Sequence, residues 1–183
     1  MRITEGRIID LSKLVLSSEQ SQVRSSGIHV SSIIRHIARE MGRKQSNEFT
    51  AYDLDHFSVV GRLWENQLAE AKYQSPRYER IGEIECEGII GSPDCIDTEE
   101  WAVLEFKCTW RSASKPPESE FDWMTQIKAY CMMLGMCRAT LVVFYVGGMW
   151  RPPQPIAKEY SLLFTPAELK DNWNMLKTNA KDL

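Results

Sequence analysis

Residues 92–110 read SPDCIDTEEWAVLEFKCTW, and the second half of this stretch decides the fold class. Residues 101–110 predict a β-strand, because their apolar and polar side chains alternate as they do on the two faces of a strand. The apolar face carries Ala102, Leu104, Phe106, Cys108 and Trp110. The other face places Glu105 beside Lys107, and two charges on a strand built for burial are costly unless they are paired or bind a metal. Two interpretations follow, a salt bridge across an exposed sheet face or a metal site.

A second carboxylate, Asp94, precedes Glu105 by eleven residues, with a predicted turn at residues 98–100 between them. Two neighbouring strands joined by this short turn would place the two carboxylates side by side. Carboxylates that close repel each other, and a Mg²⁺ or Mn²⁺ ion, which prefers oxygen ligands, relieves the repulsion. Lys107, on the same strand face, would then orient or activate an attacking water.

These residues resemble a known signature. SPD at 92–94 followed by EFK at 105–107 resembles the motif of the PD-(D/E)XK nuclease superfamily. The resemblance implies that Asp94 and Glu105 bind Mg²⁺ or Mn²⁺, with the Phe106 carbonyl as a further ligand. It also implies that Lys107 positions the water that attacks phosphorus.

A third carboxylate comes from an upstream helix. GRLWE at 61–65 resembles the G-x-x-x-E element on the helix that precedes the nuclease sheet. The resemblance therefore adds Glu65 to the metal ligands and catalytic residues. The alternative for Glu65 is a solvated position on the helix surface.

QIKAY at 126–130 resembles the Q-x-x-x-Y motif of the RecB-like exonuclease branch, which includes phage recombination exonucleases. Gln126 and Tyr130 share one helix face and would hydrogen-bond a phosphate or stack on a base of the nucleic acid. The alternative is a surface glutamine and a packed tyrosine. Iron–sulfur members carry cysteines on both sides of the core, but here no cysteine precedes Cys86 or follows Cys137, so no such cluster is expected.

Hydrophobic periodicity along the rest of the chain predicts the order α-α-β-β-β-α-β-β-α. This order gives an α/β fold with a restriction-endonuclease-like core, a central mixed sheet flanked by helices, in agreement with the resemblance. Residues 1–27 are interpreted as an N-terminal arm, and residues 28–183 as a single nuclease domain.

The first helix is predicted to bury a face from Val30 to Met41, with Ser31 or Ser32 as its N-cap and Gly42 as its terminator. A helix is also predicted over 121–134, and strands are predicted over 139–146 and 160–164. A capping box at 165–168 is expected to begin a helix that ends at Lys177. Core positions are expected for Trp64 and Trp110.

The chain has 183 residues, with 22 Lys and Arg against 25 Asp and Glu, which gives a net charge of -3. That charge alone argues against a nucleic-acid-binding protein, but its distribution indicates an acidic metal pocket beside a basic rim. The candidate nucleic-acid-binding cations of this rim are Arg35, Arg39, Arg111 and Lys115. For Arg35 and Arg39 the alternative is a solvated helix face, and for Trp123, which could stack on a nucleotide, it is ordinary packing.

No apolar run approaches the roughly 20 residues of a membrane span. Five cysteines without a CxxC pair, and no visible signal peptide, predict free thiols and a cytoplasmic protein, in the host cytoplasm if the source is viral.

The combined motifs predict a metal-dependent DNA exonuclease of recombination or repair, of a phage or mobile element, acting on linear single- or double-stranded DNA. A second copy of the chain or a recombination partner protein could assemble with it. Two alternatives stay open, a structure- or sequence-specific endonuclease on the same fold and a catalytically silent nucleic-acid-binding subunit.

Overall fold

A computed structural model describes residues 2–3, 7–9, 25–42, 64, 66–67, 70, 75–149 and 154–183. The elements in chain order are β1 (Arg2–Ile3), β2 (Arg7–Ile9), β3 (Ile28–His29), α1 (Val30–Glu40), β4 (Tyr78–Glu79), β5 (Ile84–Cys86), β6 (Ile89–Gly91), β7 (Cys95–Asp97), β8 (Ala102–Thr109), a 3₁₀ turn (Pro117–Ser119), α2 (Phe121–Leu134), β9 (Arg138–Tyr145), β10 (Ile156–Leu163) and α3 (Pro166–Ala180). The described residues of the stretch 64–70 are also helical.

The main sheet is mixed. Its strand order is β1-β10-β9-β8-β7-β4, with β2 also paired to β10. β8 and β9 are parallel, and α2 connects them as a crossover helix, whereas β7, β9 and β10 make antiparallel pairs with their other neighbours. A parallel pair requires such a crossover, because a short turn can join only antiparallel strands. The predicted strand 101–110 is β8, and it lies in the interior of this sheet.

Helices lie on both faces of the main sheet. On one face, Ile127 of α2 and Leu176 of α3 are fully buried in a core that includes Leu141 and Val143 of β9. On the other face, the ring of Trp64 stacks on Phe144 with centroids 3.9 Å apart, so Trp64 packs against the sheet, but it is half-buried and not in the core as predicted. Neighbouring strand residues point to opposite faces, so the sheet is flanked by helices, as predicted.

A second, three-stranded sheet has the order β3-β6-β5. β5 and β6 form a hairpin that turns at Glu87 and Gly88, both with positive φ. The Glu87 carboxylate accepts hydrogen bonds from Trp173 Nε1 at 3.2 Å and Lys177 Nζ at 2.7 Å. These contacts hold the hairpin against α3.

The first helix begins differently from its prediction. Its N-cap is His29, which makes no side-chain capping bond, so the prediction of Ser31 or Ser32 was wrong. Met41 is 55% exposed because α1 ends at Glu40, before Met41 can join the buried face. Gly42, with φ 65°, lies just beyond the end of the helix, in agreement with its predicted role as terminator.

The C-terminal elements are longer than predicted. β10 begins at Ile156 instead of residue 160, because Lys158 and Glu159 pair with β9 even though their polarity obscures the strand pattern. The capping box between Thr165 and Glu168 is confirmed, and α3 continues to Ala180.

Two short strands of the N-terminal segment, β1 and β2, pair with β10 at the edge of the main sheet. The division of the chain at residue 27 stays a prediction. Within the described part of the chain, no helix is long and apolar enough to cross a membrane. All five cysteines carry free thiols, as predicted.

Candidate active site

The turn between β7 and β8 brings the two predicted carboxylates together. The antiparallel register pairs Cys95 with Leu104, so the residue before Cys95 lies opposite the residue after Leu104. Asp94 and Glu105 are therefore cross-strand neighbours. The Phe106 N–H donates a 2.7 Å hydrogen bond to Oδ2 of Asp94, which fixes this carboxylate against the backbone of β8.

The other charged residue of the motif, Lys107, pairs with Glu105 in the interior. Lys107 Nζ lies 2.5 Å from Oε1 of Glu105, whose side chain is only 2% exposed, and the Lys107 side chain is 19% exposed. A salt bridge is thus present, but an exposed sheet face was the wrong location for it. Helix α2 covers this face of β8, which a strand pattern alone does not reveal.

Helix α2 contributes two further side chains to the same cluster. Lys107 Nζ donates to Gln126 Oε1 at 2.9 Å, and Gln126 Nε2 donates to the Tyr130 hydroxyl at 2.8 Å. An ammonium group only donates hydrogen bonds, so its contact fixes which end of the Gln126 amide faces Lys107. Asp94, Glu105, Lys107, Gln126 and Tyr130, called here the carboxylate–lysine cluster, thus form one continuous group.

Close packing against β6 holds Tyr130 in place. Tyr130 is 3% exposed, and a Cβ atom placed on Gly91 would lie 2.9 Å from Tyr130 Cε1 and 2.8 Å from Met133 Sδ. A larger residue than glycine at position 91 would therefore push α2 away from β6. Tyr130 is therefore a packed tyrosine, as the alternative predicted, and it also contacts Gln126. Its part in binding nucleic acid stays a prediction.

Electrostatics distinguish the members of the cluster. Burial by itself lowers the pKa of Lys107, but the carboxylates of Glu105 and Asp94 and the hydrogen bond to Glu105 raise this pKa well above its ordinary value. Burial, together with the charge of Glu105, raises the pKa of Tyr130. At neutral pH the cluster therefore holds a protonated lysine and a neutral phenol.

The chemistry of the cluster suits a hard divalent cation. Asp94 and Glu105 offer carboxylate oxygens, and Mg²⁺ is commonly held by one or two carboxylates with substrate phosphate and water completing the coordination. Among the described residues, no group of three or more His, Cys, Asp or Glu side chains is arranged to hold a metal. Glu65, the third predicted ligand, lies outside the described residues, and its role stays a prediction, as does that of the Phe106 carbonyl.

The predicted basic rim is spread over the surface. Arg35 and Arg39 are exposed on α1, and Lys115 is exposed in the loop after β8. Arg111 forms an ion pair with Glu120, the residue that precedes α2. Trp123 packs partly buried against the core. Binding of nucleic acid by these cations stays a prediction.

Sequence reasoning missed the partners of two site residues. The contact of Lys107 with Gln126 was not anticipated, although the offset of Gln126 from the apolar stripe of its helix already indicated a special role. The ion pair of Arg111 with Glu120 had no signal in the sequence.

Comparison with solved structures places the fold among known proteins. The alkaline exonuclease LHK-Exo from Laribacter hongkongensis matches with a TM-score of 0.53 and 13% identity, over 85% of this chain and 87% of that one. The chain shares the mixed α/β, restriction-endonuclease-like fold of this structure. The protein SSO0001 matches with a TM-score of 0.54 and 18% identity, over 88% of this chain and 77% of that one.

No protein-family model matches the chain, and no curated protein matches it by sequence. At the identities found, the structural likeness establishes the fold alone. Activity must be argued from the carboxylate–lysine cluster, since one fold supports many functions.

Proposed function

We propose that the chain is a metal-dependent DNA nuclease that hydrolyses phosphodiester bonds and acts as an exonuclease on linear DNA. The observation that carries the proposal is the juxtaposition of Asp94, Glu105 and Lys107 on a nuclease fold. The exonuclease assignment is supported by the Q-x-x-x-Y motif in α2 and by the likeness to an alkaline exonuclease.

The carboxylates have the first role in this mechanism. Asp94 and Glu105, with Glu65 and the Phe106 carbonyl, would hold Mg²⁺ or Mn²⁺. When bound, the metal supplies Lewis-acid activation of water and neutralises charge on the phosphate. The hydrogen bond from the Phe106 N–H keeps the Asp94 carboxylate in one orientation, so that less ordering is needed when the metal binds.

The ammonium of Lys107 has the second role. Among the described residues, two of its three N–H groups donate to Glu105 and Gln126. The third is left for the attacking water or a phosphate oxygen. A fixed positive charge here stabilises the negative charge that develops as the water oxygen bonds to phosphorus and the leaving oxygen departs.

Cleavage of end-labelled linear DNA tests the proposal. Single- and double-stranded substrates are incubated with Mg²⁺, with Mn²⁺ or with EDTA, and a closed circular substrate is treated in parallel. We expect metal-dependent release of label from linear DNA and an intact circle. Cleavage of the circle would instead identify an endonuclease, and no cleavage of any substrate with either metal would identify a catalytically silent subunit.

The two residues of α2 allow a sharper prediction. Because Gln126 contacts Lys107, we expect Gln126→Ala to lower kcat by about 10- to 100-fold with little change in KM, as is typical for residues that orient a site. Tyr130→Phe, which removes only the hydroxyl that accepts from Gln126, should have a smaller effect in the same direction. Steady-state kinetics on end-labelled DNA measures both constants.

The opposite result would support the direct contact with DNA that the motif predicts for these two residues. If Gln126 and Tyr130 held the DNA directly, Gln126→Ala would raise KM and weaken DNA binding in EDTA while kcat stayed near that of the wild type. Gln126→Glu provides the conservative comparison. Its carboxylate can still accept from Lys107, so activity should recover in part relative to alanine.

A further inference from the structure

Trp110 is exposed at the end of the strand that carries the candidate site. The sequence predicted a core position, but the side chain is 50% exposed because β8 ends at Thr109 and Trp110 lies beyond the sheet. It follows Lys107 by three residues. At the rise of a β-strand this separation is about 10 Å along the chain.

Two loops meet at this end of the sheet. The Val146 N–H donates to the Thr109 carbonyl and the Ala113 N–H donates to the Gly148 carbonyl, both at 2.9 Å, so the chain after β8 runs beside the chain after β9. Met149, 56% exposed, lies in the second loop. The second loop therefore carries another exposed apolar side chain, one residue after a backbone group that is hydrogen-bonded to the first loop.

Positive charge borders the same surface. Lys115 is exposed in the loop that follows Trp110, and Arg111, 57% exposed and paired with Glu120, follows Trp110 directly. An exposed aromatic ring bordered by cations is the combination with which proteins hold unpaired nucleotides, since the ring stacks on a base and the cations attract the backbone.

Trp101, at the other end of β8, is an internal comparison. It is 56% exposed, yet it follows Glu99 and Glu100, both of which are exposed. These carboxylates pair with Arg77, and Glu100 also pairs with Arg138. Exposure alone does not separate the two tryptophans, whereas their separation from Lys107 along the chain does, three residues for Trp110 against six for Trp101.

We propose that Trp110 is a stacking platform for an unpaired nucleobase of the substrate strand, beyond the end of the strand that carries Glu105 and Lys107. An unpaired base is required because the face of a paired and stacked base is covered by its neighbours. The inference rests on the proposed nuclease function and assigns to it a residue that selects frayed ends or single-stranded DNA.

Binding in EDTA tests the proposal without cleavage. The probe is a short, fluorescently labelled single-stranded oligodeoxynucleotide, and its Kd is measured by anisotropy for the wild type, Trp110→Ala, Trp110→Phe and Trp101→Ala. We expect the Kd of Trp110→Ala to rise by about tenfold, within the range measured for loss of one stacked base. Trp110→Phe, which keeps an aromatic ring, and Trp101→Ala should bind nearly as the wild type does.

A probe with one abasic position identifies the interaction as stacking. At the position that contacts Trp110, loss of the base should weaken binding by the wild type but not by Trp110→Ala. Equal Kd values for Trp110→Ala and Trp101→Ala, or the same abasic penalty in both proteins at every position, would overturn the proposal.

Failure of this inference is distinguishable from failure of the proposed function. A wild type that cleaves DNA with Mg²⁺ while Trp110→Ala binds and cleaves normally refutes the stacking platform alone. A protein that binds the probe through Trp110 but cleaves nothing with either metal supports the platform and refutes the nuclease activity.

Discussion

Replacement of Lys107 by methionine is expected to lower the rate of DNA cleavage by about 10²- to 10³-fold at saturating substrate. Methionine keeps much of the side-chain length but removes the ammonium that lies 2.5 Å from Glu105 and 2.9 Å from Gln126. The negative charge that develops at the phosphate then has no cation from β8. Single-turnover cleavage of end-labelled DNA with Mg²⁺ measures this loss.

The same substitution leaves Glu105 buried without its counter-ion, so a lower thermal midpoint is also expected. Asp94→Asn separates activity from folding, because the amide oxygen can still accept from the Phe106 N–H while the carboxylate charge is lost. Lys170→Ala, at an exposed position of α3, is the control and should cleave as the wild type does. Full activity in both folded Lys107→Met and folded Asp94→Asn would refute the proposed function.

Replacement of Asp97 by alanine is expected to destabilise the fold by about 2 to 3 kcal/mol. The Asp97 carboxylate accepts from Arg77 Nε and Nη2 at 2.6 to 2.9 Å and from the N–H groups of Glu99 and Glu100 at 3.0 Å. Its side chain is 7% exposed, so alanine would leave Arg77 and the N–H groups of the β7–β8 turn without this acceptor. Thermal unfolding should show a midpoint lower by roughly 5 to 10 °C for a chain of this size.

The effect of Asp97 should depend on pH. Burial alone raises the pKa of Asp97, but the hydrogen bonds from Arg77 and from the Glu100 and Glu99 N–H groups outweigh it and hold the pKa below its ordinary value. A carboxyl group with a depressed folded-state pKa stabilises the fold above its unfolded pKa, about 3.9, and loses this contribution as the pH falls through the folded pKa. The difference in the free energy of unfolding between wild type and Asp97→Ala should therefore be largest at pH 6 to 7, roughly two to three units above that unfolded pKa. It should shrink below about pH 4.

Glu99→Ala and Glu100→Ala are the matched controls for this turn. Both side chains pair with Arg77 at the surface, where they are 67% and 57% exposed. Surface ion pairs contribute little, so each variant should lose less than about 1 kcal/mol. A loss as large as that of Asp97→Ala would mean that the turn depends on its overall charge and not on the buried carboxylate.

Local patterns predicted much of the fold. The strand 101–110, the helix 121–134 and the capping box at Thr165 depend on periods and spacings within one segment, and each is present in the structure. The placement of Asp94 beside Glu105 was also predictable, because a short turn between antiparallel strands leaves little freedom of register.

Contacts between distant segments could not be predicted in this way. Lys107 and Gln126 are separated by nineteen residues and lie on a strand and on the following helix, so their hydrogen bond depends on how α2 packs on the sheet. By its place in the alternating pattern, Trp110 belongs to the apolar face of β8. It is exposed because the strand ends at Thr109, one residue before it.

The sequence by itself determined which residues carry the candidate chemistry, because the strand period and the short turn bring Asp94, Glu105 and Lys107 together whatever surrounds them. Only the tertiary structure decided what surrounds them. The crossover of α2 between two parallel strands buries Glu105 and joins Lys107 to Gln126, and Gln126 to Tyr130, while Trp110 lies beyond the end of β8. Burial and long-range hydrogen bonds depend on the packing of whole elements, and that packing cannot be predicted from any single segment.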